Sequence, residues 1–253
     1  MTERSPASDP MGKAQEKARP ELPKRFYDKV AVAEAGEGHT VLLDGRPIRT
    51  PARRPVVLPN AALAELAAEE WRRQERVIDP KTMPVTRLIN SALDGVTDRL
   101  SDVVEEIVKY AGSDLTCYRA ERPEGLVARQ TAAWDPVVSW VEERYGVRMR
   151  LAGGVMPIDQ DAETLATLRT ALDGLSALAA AALHTITGLT GSALLALSVH
   201  EGRLTAEAAW NAAHVDEDWN IAQWGEDEEA KLRRADRYAE MRAAATILEL
   251  IAK

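Results

Sequence analysis

His39-Thr40-Val41-Leu42-Leu43-Asp44-Gly45-Arg46-Pro47-Ile48-Arg49-Thr50, followed ten positions later by Asn60-Ala61-Ala62-Leu63-Ala64-Glu65-Leu66-Ala67-Ala68-Glu69-Glu70-Trp71, holds two different periods. In the first piece short apolar runs flank Asp44-Gly45, a pair suited to a type I′ turn because both central residues of that turn need positive φ. Pro47, Pro51 and Pro55 cannot donate to a central ladder, so the strands belong to a small, irregular sheet with Pro-bearing edges. In the second piece Asn60 is a good N-cap, and Leu63, Leu66, Ala67, Trp71, Gln74 and Ile78 follow helical spacing. The switch from period 2 to period 3.6 predicts an α+β protein, with a small β-rich N-terminal domain followed by a larger helical C-terminal domain.

Working outward, Phe26–Val32 reads as the first strand, ended by Gly36-Glu37-Gly38. Residues 1–23 mix acidic, basic and Pro residues without an apolar run, the pattern of a disordered tail and not of a signal peptide. Downstream, helices are expected over 126–145, 162–172, 174–186, 192–200, 206–223 and 226–251, with Val147–Leu151 as one isolated strand. The domain reading is 1–23 tail, 24–60 β-rich with a boundary reaching as far as 85, and 85–253 helical. Alanine, at 42 of 253 residues, favours helix wherever packing does not decide.

Charge and composition narrow the function. Forty Asp plus Glu against 32 Lys plus Arg give a net charge of −8, which argues against nucleic-acid and anionic-membrane partners. The longest apolar run, Ala177–Leu183, is too short to cross a bilayer. A single cysteine, Cys117, permits no intrachain disulfide and reads as a small buried apolar residue. Thr187–Ser192 is glycine-rich but lacks the Lys of a phosphate loop, and His200-Glu201 has Leu204 where a zincin needs its second His. No catalytic residue, cofactor or metal ligand is assigned, and a cytoplasmic location is expected, or the mitochondrial matrix in a eukaryote.

The unusual segment is Val215–Glu229, with seven acidic residues among fifteen and two Trp. On a continuous helix, Ala208, Ala212, Val215, Trp219 and Ala222 form an apolar stripe that runs into Glu226 and Glu229. Three readings stay open: a solvated helix face with two core Trp, carboxylates that serve a hydrolase, and a recognition surface for a basic, partly apolar partner. The recognition reading assigns Asp216, Glu217, Trp224, Glu226 and Glu228 as contacts.

In order along the chain stand Arg25-Phe26-Tyr27, Leu43-Asp44-Gly45-Arg46 with Thr50-Pro51, and Glu70-Trp71 with Gln74. Met83-Pro84-Val85-Thr86, Asp114-Leu115-Thr116-Cys117-Tyr118, Gln130 with Trp134-Asp135-Pro136, and Trp224-Gly225-Glu226 with Glu228 complete the series. With this order and spacing the chain resembles the assembly chaperone family of the F-type ATP synthase that handles the alpha subunit of the catalytic head. The resemblance spans about residues 24–250. It implies a non-enzyme that binds the free alpha subunit until the beta subunit replaces the chaperone. It also places the family's critical acidic position on Asp216, where Glu is the common residue. Where the family often carries Ala-His-Asp after Glu228, this chain has Ala230-Lys231-Leu232.

Overall fold

The computed structural model describes residues 21–154 and 156–252. Of the tail expected over 1–23, residues 1–20 lie outside the described residues, while Pro23 is tied in by its carbonyl, which accepts from Ile78 N at 2.8 Å. Strands β1 (Val30–Ala35) and β2 (Gly38–Leu43) pair antiparallel with Val32 opposite Val41, and β3 (Arg46–Pro47) returns along β2. The turn joining β2 to β3 has positive φ at both Asp44 (48°) and Gly45 (79°), as the sequence predicts. The Asp44 carboxylate accepts from Lys29 N at 2.8 Å, which fixes the chain entering β1. Gly38 is required by packing: a Cβ there would lie 2.3 Å from the Leu58 carbonyl oxygen, where the 55–58 segment bridges His39.

The first strand begins four residues later than Phe26. Before Val30 the chain pairs elsewhere: Arg25 N donates to Arg76 O, and Lys24 bridges Val77. Tyr27 is buried against Trp71, its hydroxyl donating to the Trp71 carbonyl at 2.7 Å, and Phe26 is left exposed. Helix α1 (Ala61–Arg72) starts where expected, with Asn60 Oδ1 accepting from Leu63 N at 2.9 Å. Its Leu63, Ala64 and Ala67 are buried, and it packs on β1 and β2.

From α1 the chain passes through a lock of side chains. Gln74 Oε1 accepts from Asp79 N at 2.8 Å, and its Nε2 donates to Thr82 Oγ1 at 3.0 Å. Glu70, buried, accepts from Val85 N, Thr86 N and Thr86 Oγ1 at 2.7–2.8 Å. Those amides belong to the first turn of α2 (Pro84–Ser91), where a carboxylate satisfies orphan donors and meets the positive end of the helix. A π turn (Ala92–Val96) and a 3-10 turn lead to α3 (Leu100–Gly112).

A second, two-stranded sheet pairs β4 (Tyr118–Arg119) parallel with β5 (Ala152–Gly153). Between them runs α4 (Glu124–Tyr145), ended by Gly146 at φ 68°. Val147–Leu151 is not the expected strand. Side chains satisfy its backbone instead: Glu142 Oε1 accepts from Met149 N, and Gln160 both accepts from Arg150 N and donates to Arg150 O, each at 2.9 Å. With those groups occupied, no ladder is left to form.

Then follow α5 (Ala162–Thr170), α6 (Ala177–Thr190), α7 (Ala193–His200), α8 (Ala206–Ala213), α9 (Val215–Trp224) and α10 (Glu228–Ile251). Helix α6 is the centre, packed by α3, α7 and α10, with Ala179–Leu183 all buried. Its small residues let neighbouring backbones close in. No helix among the described residues is long and apolar enough to cross a membrane. Asp114, fully buried, holds the start of α7: Oδ1 accepts from Ser192 Oγ at 2.7 Å and Oδ2 from Leu194 N at 3.0 Å. Cys117 is buried beside it, and burial with the nearby Asp114 pushes its thiol up to about 12.

Candidate functional site

The expected helix 206–223 is two helices broken at His214. The His214 ring is buried and lies 3.9 Å from the Trp210 ring, and its Nδ1 sits 2.7 Å from the Trp210 carbonyl. A carbonyl can only accept, so Nδ1 carries a proton. The backbone at His214 leaves the helical region (φ −110°, ψ 20°), and α9 restarts with Asp218 N donating to His214 O. The apolar stripe is therefore interrupted. Ala212 and Val215 are buried and Trp219 half-buried, but Ala208 and Ala222 are exposed.

Helices α8 and α9 lie antiparallel on α4, in a register set by three contacts. The Trp219 ring covers Gly125 so closely that a Cβ there would stand 2.7 Å from Cη2. Gln130 Nε2 donates to Asp216 Oδ1 at 2.7 Å. Trp134, fully buried, donates Nε1–H to the Ala212 carbonyl at 2.6 Å.

The acidic residues cluster because two helices begin here. Asp216, Glu217 and Asp218 occupy the first turn of α9, and Glu228 and Glu229 the first turn of α10, where negative charge is favoured. Most already have partners: Asp216 has Gln130, Asp218 meets Arg234, Glu229 meets Arg233, and Asp227 caps α10 through Ala230 N at 2.9 Å. Glu217 lies 3.8 Å from His214 Nε2. Glu226 and Glu228 are exposed without a partner among the described residues. Between them and α9 stands Trp224, 88% exposed, with Leu232 67% exposed one turn into α10.

The five sequence-assigned contacts thus fall into two groups. Trp224, Glu226 and Glu228 form an exposed tip at the α9–α10 turn, where Gly225 has φ 84°. Asp216 and Glu217 lie at the other end of α9, about 12 Å away along the axis, and Asp216 is half-buried against α4. Trp134 is core, whereas Trp71 and Trp140 are half-buried at its edge. Among the described residues no group of three or more His, Cys, Asp and Glu is placed to hold a metal ion.

Sequence reasoning did not find an open groove of about 560 Å³ beside this contact, between α4 and α8–α9. Its α4 side, Arg129, Ala132, Ala133, Pro136 and Val137, repeats at helical spacing, but that face carries too many small residues to stand out in the sequence.

Residues 24–142 match the family described as ATP12 chaperone protein. A mitochondrial atp12 protein of Schizosaccharomyces pombe is 24% identical over 219 residues, 82% of this chain and 75% of that protein. The crystal structure of a candidate chaperone from Agrobacterium tumefaciens is 51% identical, covers 96% of this chain and 91% of its own, and superposes with a TM-score of 0.86. Crystal structure of Atp12 from Paracoccus denitrificans is matched at 39% identity, over 90% of this chain and 98% of that one, with a TM-score of 0.83. Sequence and fold agree over nearly the whole length, and the chain belongs to the ATP12 chaperone family.

Proposed function

We propose that this chain is an ATP-independent assembly chaperone that holds the free alpha subunit of the F-type ATP synthase catalytic head until the beta subunit replaces it. An oligomer subunit released alone exposes an apolar interface that invites aggregation. A chaperone without nucleotide chemistry acts by mass action: it binds the exposed state and yields to a tighter partner. Beyond family membership, the observation that carries this reading is Trp224, 88% exposed beside the unpartnered carboxylates of Glu226 and Glu228. An exposed aromatic ringed by negative charge suits a basic, partly apolar client surface, with the ring as anchor and the charges steering the encounter. Asp216 and Glu217 contribute from the α4-facing end of α9.

The test measures binding to purified alpha subunit and to the assembled alpha–beta head. Capture of the free subunit, release on adding beta subunit, and at least tenfold weaker capture by Trp224→Ala and by Glu226→Lys with Glu228→Lys support the reading. Both variants change exposed side chains and are expected to melt like wild type. No binding to free alpha subunit, or equal binding to the assembled head, refutes it.

A further inference from the structure

The groove between α4 and α8–α9 has a chemistry opposite to that of the acidic tip. Its walls are Ala132, Ala133 and Val137 on one side and Ala208, Ala212 and Val215 on the other. Small side chains on both walls leave a trough into which another backbone can sink, and at about 560 Å³ it is wide enough for one helix face. Its charged residues are Arg129, Arg203 and Asp218. Asp218 is already neutralised by Arg234. Arg129 and Arg203 have no carboxylate within 4.0 Å among the described residues. The Arg129 guanidinium lies over the Trp219 ring, 4.9 Å from its centroid, a stacking that leaves its N–H edge available to a carboxylate.

The antiparallel register sets where these cations stand. Trp219 meets Gly125, Asp216 meets Gln130 and Ala212 meets Trp134, so Ala208 lies beyond them toward Val137. Arg129 is thus at the Val215–Asp218 end of the trough. Arg203, two residues before the Thr205 cap of α8, is at the Ala208 end. Along α4 the interval from Arg129 to Val137 is about 12 Å, or slightly over two helical turns. An apolar trough with an unpaired guanidinium at each end on an otherwise acidic protein selects by charge as well as shape.

We propose that this groove docks an amphipathic helix of the client whose apolar stripe is flanked by acidic residues about two turns apart. The identity of that client rests on the chaperone reading above; the chemistry of the groove does not. The chaperone then grips its client at two sites of opposite sign, the acidic Trp224 tip and the Arg129–Arg203 trough. Two weak contacts on one rigid body raise the local concentration of each for the other, and each remains weak enough to be displaced in turn.

Two helix-stapled peptides of 18 residues, identical in their Leu and Ala stripe but flanked by Glu in one and Lys in the other, serve as probes in fluorescence anisotropy. The Glu peptide is expected to bind wild type, with at least tenfold loss for Ala208→Trp, which fills the trough, and for Arg203→Glu. The Lys peptide does not compete with it. Melting temperatures accompany both variants, and Arg203→Glu decides the matter if Ala208→Trp fails to fold. The proposal is overturned if the Glu peptide does not bind, if it binds the variants as it binds wild type, or if wild type self-associates through this face and Ala208→Trp abolishes it. A parallel titration with alpha subunit separates the two readings: peptide binding without alpha-subunit binding retains the groove and removes the alpha subunit as client.

Discussion

Gln130 holds Asp216 by a 2.7 Å hydrogen bond from Nε2 while its own Oε1 accepts from Ala120 N at the same distance. One buried amide therefore joins the segment that follows β4, α4 and α9. A carboxylate that reads as a contact residue in the sequence is half of an interhelical junction, so charge reversal and charge removal there are different experiments. Asp216→Asn can keep accepting from Gln130 and is expected to stay within about 0.5 kcal/mol of wild type. Asp216→Lys sets a cation against the amide hydrogens and is expected to lose about 1–3 kcal/mol. Denaturant titrations measure this, and alpha-subunit affinity of the Asn variant then isolates the charge. A drop of tenfold or more for Asp216→Asn supports recognition by the carboxylate; wild-type affinity makes Asp216 a positioning residue only.

Glu70 makes a comparable junction earlier in the chain. Burial pushes its carboxyl up from the usual range, while the donors of Thr86 and Val85 act the other way. Glu70→Ala strands two amides and a hydroxyl at the start of α2, an expected cost of about 3 kcal/mol. Glu70→Gln, still an acceptor on one side, is expected to lose about half as much. Equal stability of the Ala variant and wild type in urea would exclude the lock.

Cys117 is expected to be chemically silent. Its thiol is buried and pushed up to about 12, so almost no thiolate exists at pH 8. A chromophoric thiol reagent should label the native protein only at the rate of global opening and label it at once in denaturant. Fast labelling of the native state would mean that the Asp114–Ser192 junction opens readily.

His214 is expected to make the α8–α9 break sensitive to acid. Burial lowers its folded pKa, with Arg234 and Arg237 acting in the same direction, against the Trp210 carbonyl and Glu217. The neutral ring is thus the native form. Its contribution is fully present above the unfolded value of about 6.5 and is lost as pH falls through the folded value. His200, also lowered by burial, adds to the same trend. Melting temperature should decline between pH 7 and pH 5 less steeply for His214→Gln than for wild type. Identical slopes would show that the ring does not titrate with folding.

The hairpin and the first helix were legible because local rules decide them: Asp44-Gly45 needs only its own φ values, and the Asn60 cap accepts from an amide three residues on. Val147–Leu151 was misread because the groups that occupy its backbone come from Glu142 and Gln160, which no window over the segment contains. The break at His214 was hidden for a similar reason, since the periodicity continues through it while a ring stacked on Trp210 bends the chain. At the candidate site, Trp224 and its acidic neighbours stood out by composition. Arg129 and Arg203 did not, being 74 positions apart and joined only by the antiparallel packing of α8–α9 on α4.

The Asn60 side chain does more than cap α1. Its Nδ2 donates to the Leu250 carbonyl at 2.8 Å, across 190 residues of sequence. Helix α10, which carries Leu250, also packs on α1, α2 and the central α6. During synthesis at about 5–20 residues per second, the sheet and α1 leave the ribosome many seconds before their last partner exists. The chaperone itself therefore spends that interval with the α10-facing sides of α1, α2 and α6 uncovered, open to the same premature contacts from which it is proposed to shield its client.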